Sequence, residues 1–135
     1  MTLHEFLRLP HRFRWGGVGG DDCTTFCATW VDEQIGIDPA ERLRGTYRDE
    51  AGAHEILAAA GGLVSFIGGC LWPFGYERVD DPTDGDIGVV MAPAGVGGDL
   101  KEVAAIRFGP MWAILSPGRV VTRKLDFIAA WRRQV

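Results

Sequence analysis

Apolar positions recur at helical spacing through the first half of the chain, whereas in the second half they gather into short runs divided by turn residues. Cys23, Phe26, Cys27, Trp30, Val31 and Gln34 fall three and four apart, a stripe that is polar only at its last position. This predicts a helix that opens at Cys23, is capped by Asp21 or Asp22, stops at Gly36 and buries one face. Shorter helical signals flank it. Thr2 and Glu5 form a capping box ahead of Leu3, Phe6 and Leu7, with Pro10 as the break. Asp38, Pro39 and Gly45 read as N-cap, first residue and stop of a one- or two-turn helix. Ala53, Ile56, Leu57 and Ala60 share a face of another helix, which Gly61 and Gly62 end.

Residues 63–78 are apolar but interrupted by Gly68, Gly69, Pro73 and Gly75. They read as a short helix or turn and then an aromatic loop, whose Leu71, Trp72 and Phe74 either line a groove or tuck over the core. After a turn at Thr83 to Gly85 the pattern becomes that of strands: 86–91, 102–109, 111–117 and 119–125, the last three joined by tight turns at Gly109–Pro110 and Pro117–Gly118. Residues 92–101 read as a flexible glycine-rich loop and the tail from Asp126 as a last helical turn or a closing edge. The order predicts an α+β fold, with N-terminal helices packed on a C-terminal antiparallel sheet of about four strands.

At 135 residues, the span 1–135 fits a single domain with its own core. A net charge of -4 argues against nucleic acid as a partner, because a broad basic face is absent. No apolar run reaches membrane-spanning length, and His4, Glu5 and Arg8 exclude a signal peptide, so the expectation is a chain made in the cytoplasm with no membrane partner. Cys23, Cys27 and Cys70 are an odd set with no disulfide framework. Neither metal-ligand spacing nor a phosphate loop is present, so no metal and no cofactor is expected.

The chemistry-bearing stretch is "WGGVGGDDC", a glycine loop running through two aspartates into a helix start. A cysteine in the first turn of a helix meets unpaired amides and the positive end of the macrodipole, both of which favour thiolate. Cys23 is therefore a nucleophile candidate, its alternative being a small apolar core residue. Asp21 and Asp22 read as caps, Asp22 being also a polar neighbour of the thiol. His4 and His11 read as solvent-facing. His54, near Glu50 and Glu55, is the candidate base.

Taken together, Trp15–Gly16, Asp22–Cys23, Arg44–Gly45–Thr46–Tyr47, Gly61–Gly62, Gly85–Asp86 and Ala130–Trp131–Arg132 resemble the NlpC-type branch of the papain-like cysteine peptidases. Within it they are similar to a small family encoded among phage and prophage tail genes. The resemblance implies a papain-like fold, Cys23 as nucleophile, a histidine at the start of the second strand and a polar residue on the third to orient it. Here that strand begins Lys101, Glu102, Val103, Ala104, and a glutamate near Cys23 disfavours thiolate by like charge. The third-strand candidates are Trp112 and Ser116.

The resemblance thus implies a phage tail-tip component, associated with hub or baseplate, that keeps the fold without catalysis. It would be made in the host cytoplasm and assembled into the virion tail, with other tail-tip and hub proteins as partners. The alternative is an active cysteine peptidase acting on peptidoglycan during genome delivery. A third reading is a papain-like domain with no phage context. Trp15, Trp30 and Trp72 are the substrate-binding candidates around the cleft. Candidates for an outer docking patch are Leu71, Trp72 and Phe74, and Met111 with Trp112.

Overall fold

The computed structural model describes residues 1–94 and 98–134. Four α-helices come first: α1 (Leu3–Leu7), α2 (Cys23–Ile35), α3 (Glu50–Ala59) and α4 (Leu63–Leu71), the last running into a 3-10 turn at Trp72–Phe74. Six strands follow: β1 (Tyr76–Arg78), β2 (Ile87–Ala94), β3 (Asp99–Phe108), β4 (Met111–Ser116), β5 (Arg119–Arg123) and β6 (Phe127–Arg133). They form one antiparallel sheet in the order β1-β6-β2-β3-β4-β5. The α+β arrangement, helices first and antiparallel sheet after, is as expected.

Helix α2 forms where its local signals put it. Asp22 Oδ1 accepts from the Thr24 and Thr25 amides at 3.1 and 2.9 Å, and Thr25 Oγ1 accepts in return from the Asp22 amide at 3.0 Å. Gly36 ends the helix in the left-handed conformation that L-residues avoid. The stripe buries Phe26, Cys27, Trp30 and Val31. Helix α1, capped by Thr2, delivers Phe6 between Phe26 and Trp30, with ring centroids 5.4 and 5.2 Å away. His11 is not solvent-facing: it packs edge-on against Phe26 at 4.9 Å, and its Nε2 lies 2.6 Å from the Phe6 carbonyl oxygen.

Residues 39–45 form successive turns, not the short helix expected. Asp38 does accept from the Ala40 amide as an N-cap should, but its other oxygen accepts from Arg44 Nε at 2.7 Å. The Arg44 guanidinium also reaches the Gly17 carbonyl at 2.8 Å. Long-range anchoring of Arg44 overrides a propensity that is only a weak prior.

Six strands form where about four were expected. Strand β1 is three residues long, and the tail is neither a helical turn nor an edge, since β6 lies between β1 and β2. There Trp131 faces Arg78 and Ile87, and Ala129, Ala130 and Trp131 are buried. Residues 92–94 and 99–101, read as flexible loop, are strand. Of the rest of that loop, Gly98 forms a turn and 95–97 lie outside the described residues.

The main core fills the face between α2, α4 and the sheet, and includes Phe26, Trp30, Leu63, Ile67, Ile87 and Trp131. On the other face a smaller cluster of Val90, Ala92, Ala105, Trp112 and Ala130 is buried. Leu71 is core and Phe74 packs against it, leaving Trp72 of that aromatic loop 71% exposed. Trp112 is fully buried, so it joins no outer patch with Met111. No single helix among the described residues is long and apolar enough to cross a membrane, though α3 and the α4 segment pass that test together as a pair bent by 74°.

Candidate functional site

A groove of about 530 Å³ opens at the N-terminus of α2. Cys23, Asp22 and Thr24 form its floor, and Trp15 and Tyr47 close one end. One wall is α3 with the start of α4, presenting Ala53, His54, Ile56, Leu57, Leu63 and Phe66. Lys101, Glu102 and Val103 of β3 also line it, Lys101 lying 3.6 Å from Glu50 of α3. The place where the resemblance implies a histidine therefore does border Cys23, but it carries an acid and a lysine.

The glycine loop is closed by its own backbone. Arg14 N–H donates to the Asp21 carbonyl and Asp21 N–H to the Arg12 carbonyl, each at 2.8 Å, which brings the two ends of the loop together. At Gly16 the backbone is left-handed, and an added Cβ would run into the Tyr47 carbonyl oxygen, so glycine is required there. This approach sets Tyr47 over Asp22. The Tyr47 hydroxyl donates to Asp22 Oδ2, which also accepts from the Gly16 amide at 3.3 Å. Asp22 is 1% exposed, and both its oxygens have partners.

Asp21 is not a helix cap, contrary to the expectation for it. Its carboxylate accepts from Arg44 Nη1 at 2.8 Å and from the Thr29 hydroxyl at 2.9 Å. Arg44 thus clamps Asp21 and Asp38; burial pulls its pKa down, but the hydrogen bonds and charges of the two carboxylates together outweigh that and push it up. Asp86 likewise holds Arg132 at 2.9 Å, which raises the arginine, and Trp30 Nε1 donates to the Gly85 carbonyl at 2.9 Å.

The half-buried Cys23 thiol is pushed up to about 11, first by burial and then by the Asp22 charge. Hydrogen bonds from the first-turn amides do pull the other way, as the sequence suggests, but they are outweighed. The balance favours the thiol over the thiolate. Cys27 is buried and raised well above its ordinary value, and its Sγ donates to the Cys23 carbonyl at 3.6 Å. Tyr47 is also raised, by burial and by Asp22.

Of the remaining candidates, His54 is exposed and lines the same groove as Cys23, but its imidazole makes no hydrogen bond to Cys23 or to any other described residue. Trp15 lines the groove beside Cys23 and stacks edge-on with Phe13 at 5.2 Å. Trp30 is 5% exposed, a core residue outside the groove, and Trp72 stands on the 3-10 turn, also outside it. Sequence reasoning missed the groove roles of Tyr47, Ile56 and Leu57 and the clamp made by Arg44. Arg44 and Tyr47 sat in a quoted motif, and the pairing of two acids with an Arg and a Tyr downstream was the available signal.

Fold and groove together define an α+β domain with a helix-start cysteine at the floor of a largely apolar groove. The chain belongs to the family described as Domain of unknown function (DUF6950), which matches residues 2–133. No curated protein and no solved structure matches it.

Proposed function

We propose that this domain is a non-catalytic binding module of a phage tail tip, built on a papain-like, NlpC-type fold whose cysteine groove is kept as a docking site for other tail-tip or hub proteins. The observation that carries the reading is Cys23. It opens α2 on the groove, yet no described imidazole is bonded to it and Glu102 lines the groove where the resemblance implies a histidine, while burial and Asp22 push the thiol up. A thiol held that high is almost wholly protonated at pH 7 and a modest nucleophile. Further support comes from the motifs behind the resemblance, whose members bond to one another: Tyr47 to Asp22, Arg44 to Asp21 beside it, and Arg132 to Asp86. They hold a frame in place of a triad.

One observation favours the second reading, an active peptidoglycan peptidase with Cys23 as nucleophile and His54 as base: both residues line one groove. The pH dependence of Cys23 alkylation, resolved from Cys27 and Cys70 by mass spectrometry, separates the two. Half-maximal reactivity well above pH 8.5 and no cleavage of peptidoglycan fragments are expected. Reactivity centred near neutral pH and lost in His54→Ala would overturn the non-catalytic reading. Immunogold labelling of virions should place the protein at the tail tip, and absence from the virion would remove that part of the proposal.

A further inference from the structure

A separate hollow lies at the other end of α2 from the groove. Cys23 opens that helix, and Gln34 and Ile35, which close it, line the hollow. The rise of an α-helix puts the two sites about 18 Å apart. The hollow encloses about 250 Å³, the share of about eight water molecules in the liquid. Trp30 and Ile35 form its apolar side, and the turn at Gly85, Tyr76 of β1 and the end of β6 complete it.

The unexplained group here is the Tyr76 hydroxyl. Tyr76 is 6% exposed, yet its hydroxyl makes no hydrogen bond among the described residues. A phenol at that depth ordinarily has a partner. Burial raises its pKa most, Arg133 lowers it and Asp86 raises it, so the hydroxyl lies within reach of two charges that line the same hollow. Tyr76 and Arg133 face each other across β1 and β6. Their side chains therefore leave the sheet on one face, from Cβ atoms about 5 Å apart.

The other polar groups of the hollow are mostly taken. Arg132 holds Asp86 at 2.9 Å, and Trp30 Nε1 donates to the Gly85 carbonyl at 2.9 Å. Two charges of opposite sign are left. Exposed Arg133 has no carboxylate partner among the described residues, and exposed Asp84 accepts from the Gly109 amide but has no cation partner among them. A guanidinium beside a hydroxyl donor suits a carboxylate. A free aspartate, with the negative end of the α2 dipole lining the same space, suits an ammonium.

We propose that this hollow binds a free α-amino acid with a small apolar side chain, its carboxylate on Arg133 and the Tyr76 hydroxyl, its ammonium on Asp84 and its side chain against Trp30 and Ile35. An α-amino acid carries both charged groups on one carbon, whereas a polypeptide terminus carries one of them alone. The site stands apart from the groove and does not depend on what the groove binds.

The test is a titration of the ¹⁵N-labelled full chain with alanine, valine and leucine, and with N-acetylleucine and leucinamide as ligands that each lack one charge. Amides of Tyr76, Gly85 and Arg133 should shift with the amino acids, and those of Cys23 and Thr24 should not. Each single-charge ligand should bind about tenfold more weakly than leucine, the worth of one charge-assisted hydrogen bond. Tyr76→Phe removes only the unpartnered hydroxyl, so it should weaken leucine binding about tenfold and leave the urea midpoint unmoved. A lowered midpoint with unchanged binding would make the hydroxyl structural and overturn its role. Arg133→Gln should cost a similar factor, and Asp84→Asn should make leucine no better than N-acetylleucine. Equal binding of leucine and either single-charge ligand would reduce the site to a receptor for one ion and overturn the amino-acid assignment. No shift at those three amides with any of the three amino acids above millimolar concentration overturns the site itself.

Discussion

Asp22 serves the fold at the expense of a reactive thiol. One oxygen caps α2, the other accepts from Tyr47 and Gly16, and its charge helps to keep Cys23 protonated. Tyr47→Phe would leave Oδ2 with the Gly16 amide alone, at 3.3 Å. Because the acceptor is a buried carboxylate, the expected loss is about 2 kcal/mol of unfolding free energy, measured by urea titration. The effect on pH dependence follows from the thiol and phenol shifts. Cys23 is raised from 9.0 to about 11 in the fold, and Cys27 and Tyr47 are raised as well. Groups raised on folding bind more protons in the native state, so their contribution is full below the unfolded value and is lost as pH rises through the folded one. Stability should therefore fall between pH 9 and 11, and less steeply in Cys23→Ala. A flat stability curve across that window would show that the thiol is not held protonated.

At the scale of elements, close packing decides what local pattern cannot. Gly88 in β2 lies under the six-membered ring of Trp112, and a Cβ there would sit 2.5 Å from ring carbons. Trp112 is fully buried and cannot swing out, so Gly88→Ala should cost about 1–3 kcal/mol by overpacking, visible as a lowered urea midpoint. An unchanged midpoint would mean that the second cluster yields more readily than its burial implies. Such contacts also explain which elements were legible in the sequence. Helix α2 was readable to the residue, because its cap, its stripe and Gly36 all lie within fifteen positions. The tail was not: "FIAAW" has no period that separates strand from helix, and its place between β1 and β2 depends on partners 37 to 57 residues away. Strand β1 is too short to leave a pattern. For the site, Cys23 and Asp22 were legible from the helix start. The resemblance also put the start of β3 near the thiol and the reading offered His54 of α3, but Tyr47, Ile56 and Leu57 were not foreseen, because only the third dimension brings them to the groove. The sign of the thiol shift was missed for the same reason, since burial is invisible in a sequence.

Over the whole molecule, stability should be graded away from the α2–sheet interface. Helix α2 buries six residues and α4 buries Leu63, Ile67 and Leu71, whereas α3 buries none. A fully buried large apolar side chain contributes about 1.5–3 kcal/mol, so α3 lacks what holds its neighbours. Its tie to β3, the Glu50–Lys101 pair, is exposed on both sides and worth little. The α3 wall of the groove is thus the part most easily deformed. Local opening free energy tracks such burial, and native-state hydrogen exchange reads it directly. Amides of α3 should exchange through local opening, well before those of α2 and α4. If α3 exchanges as slowly as α2, the groove has a rigid wall, and contacts other than full side-chain burial must hold that helix in place.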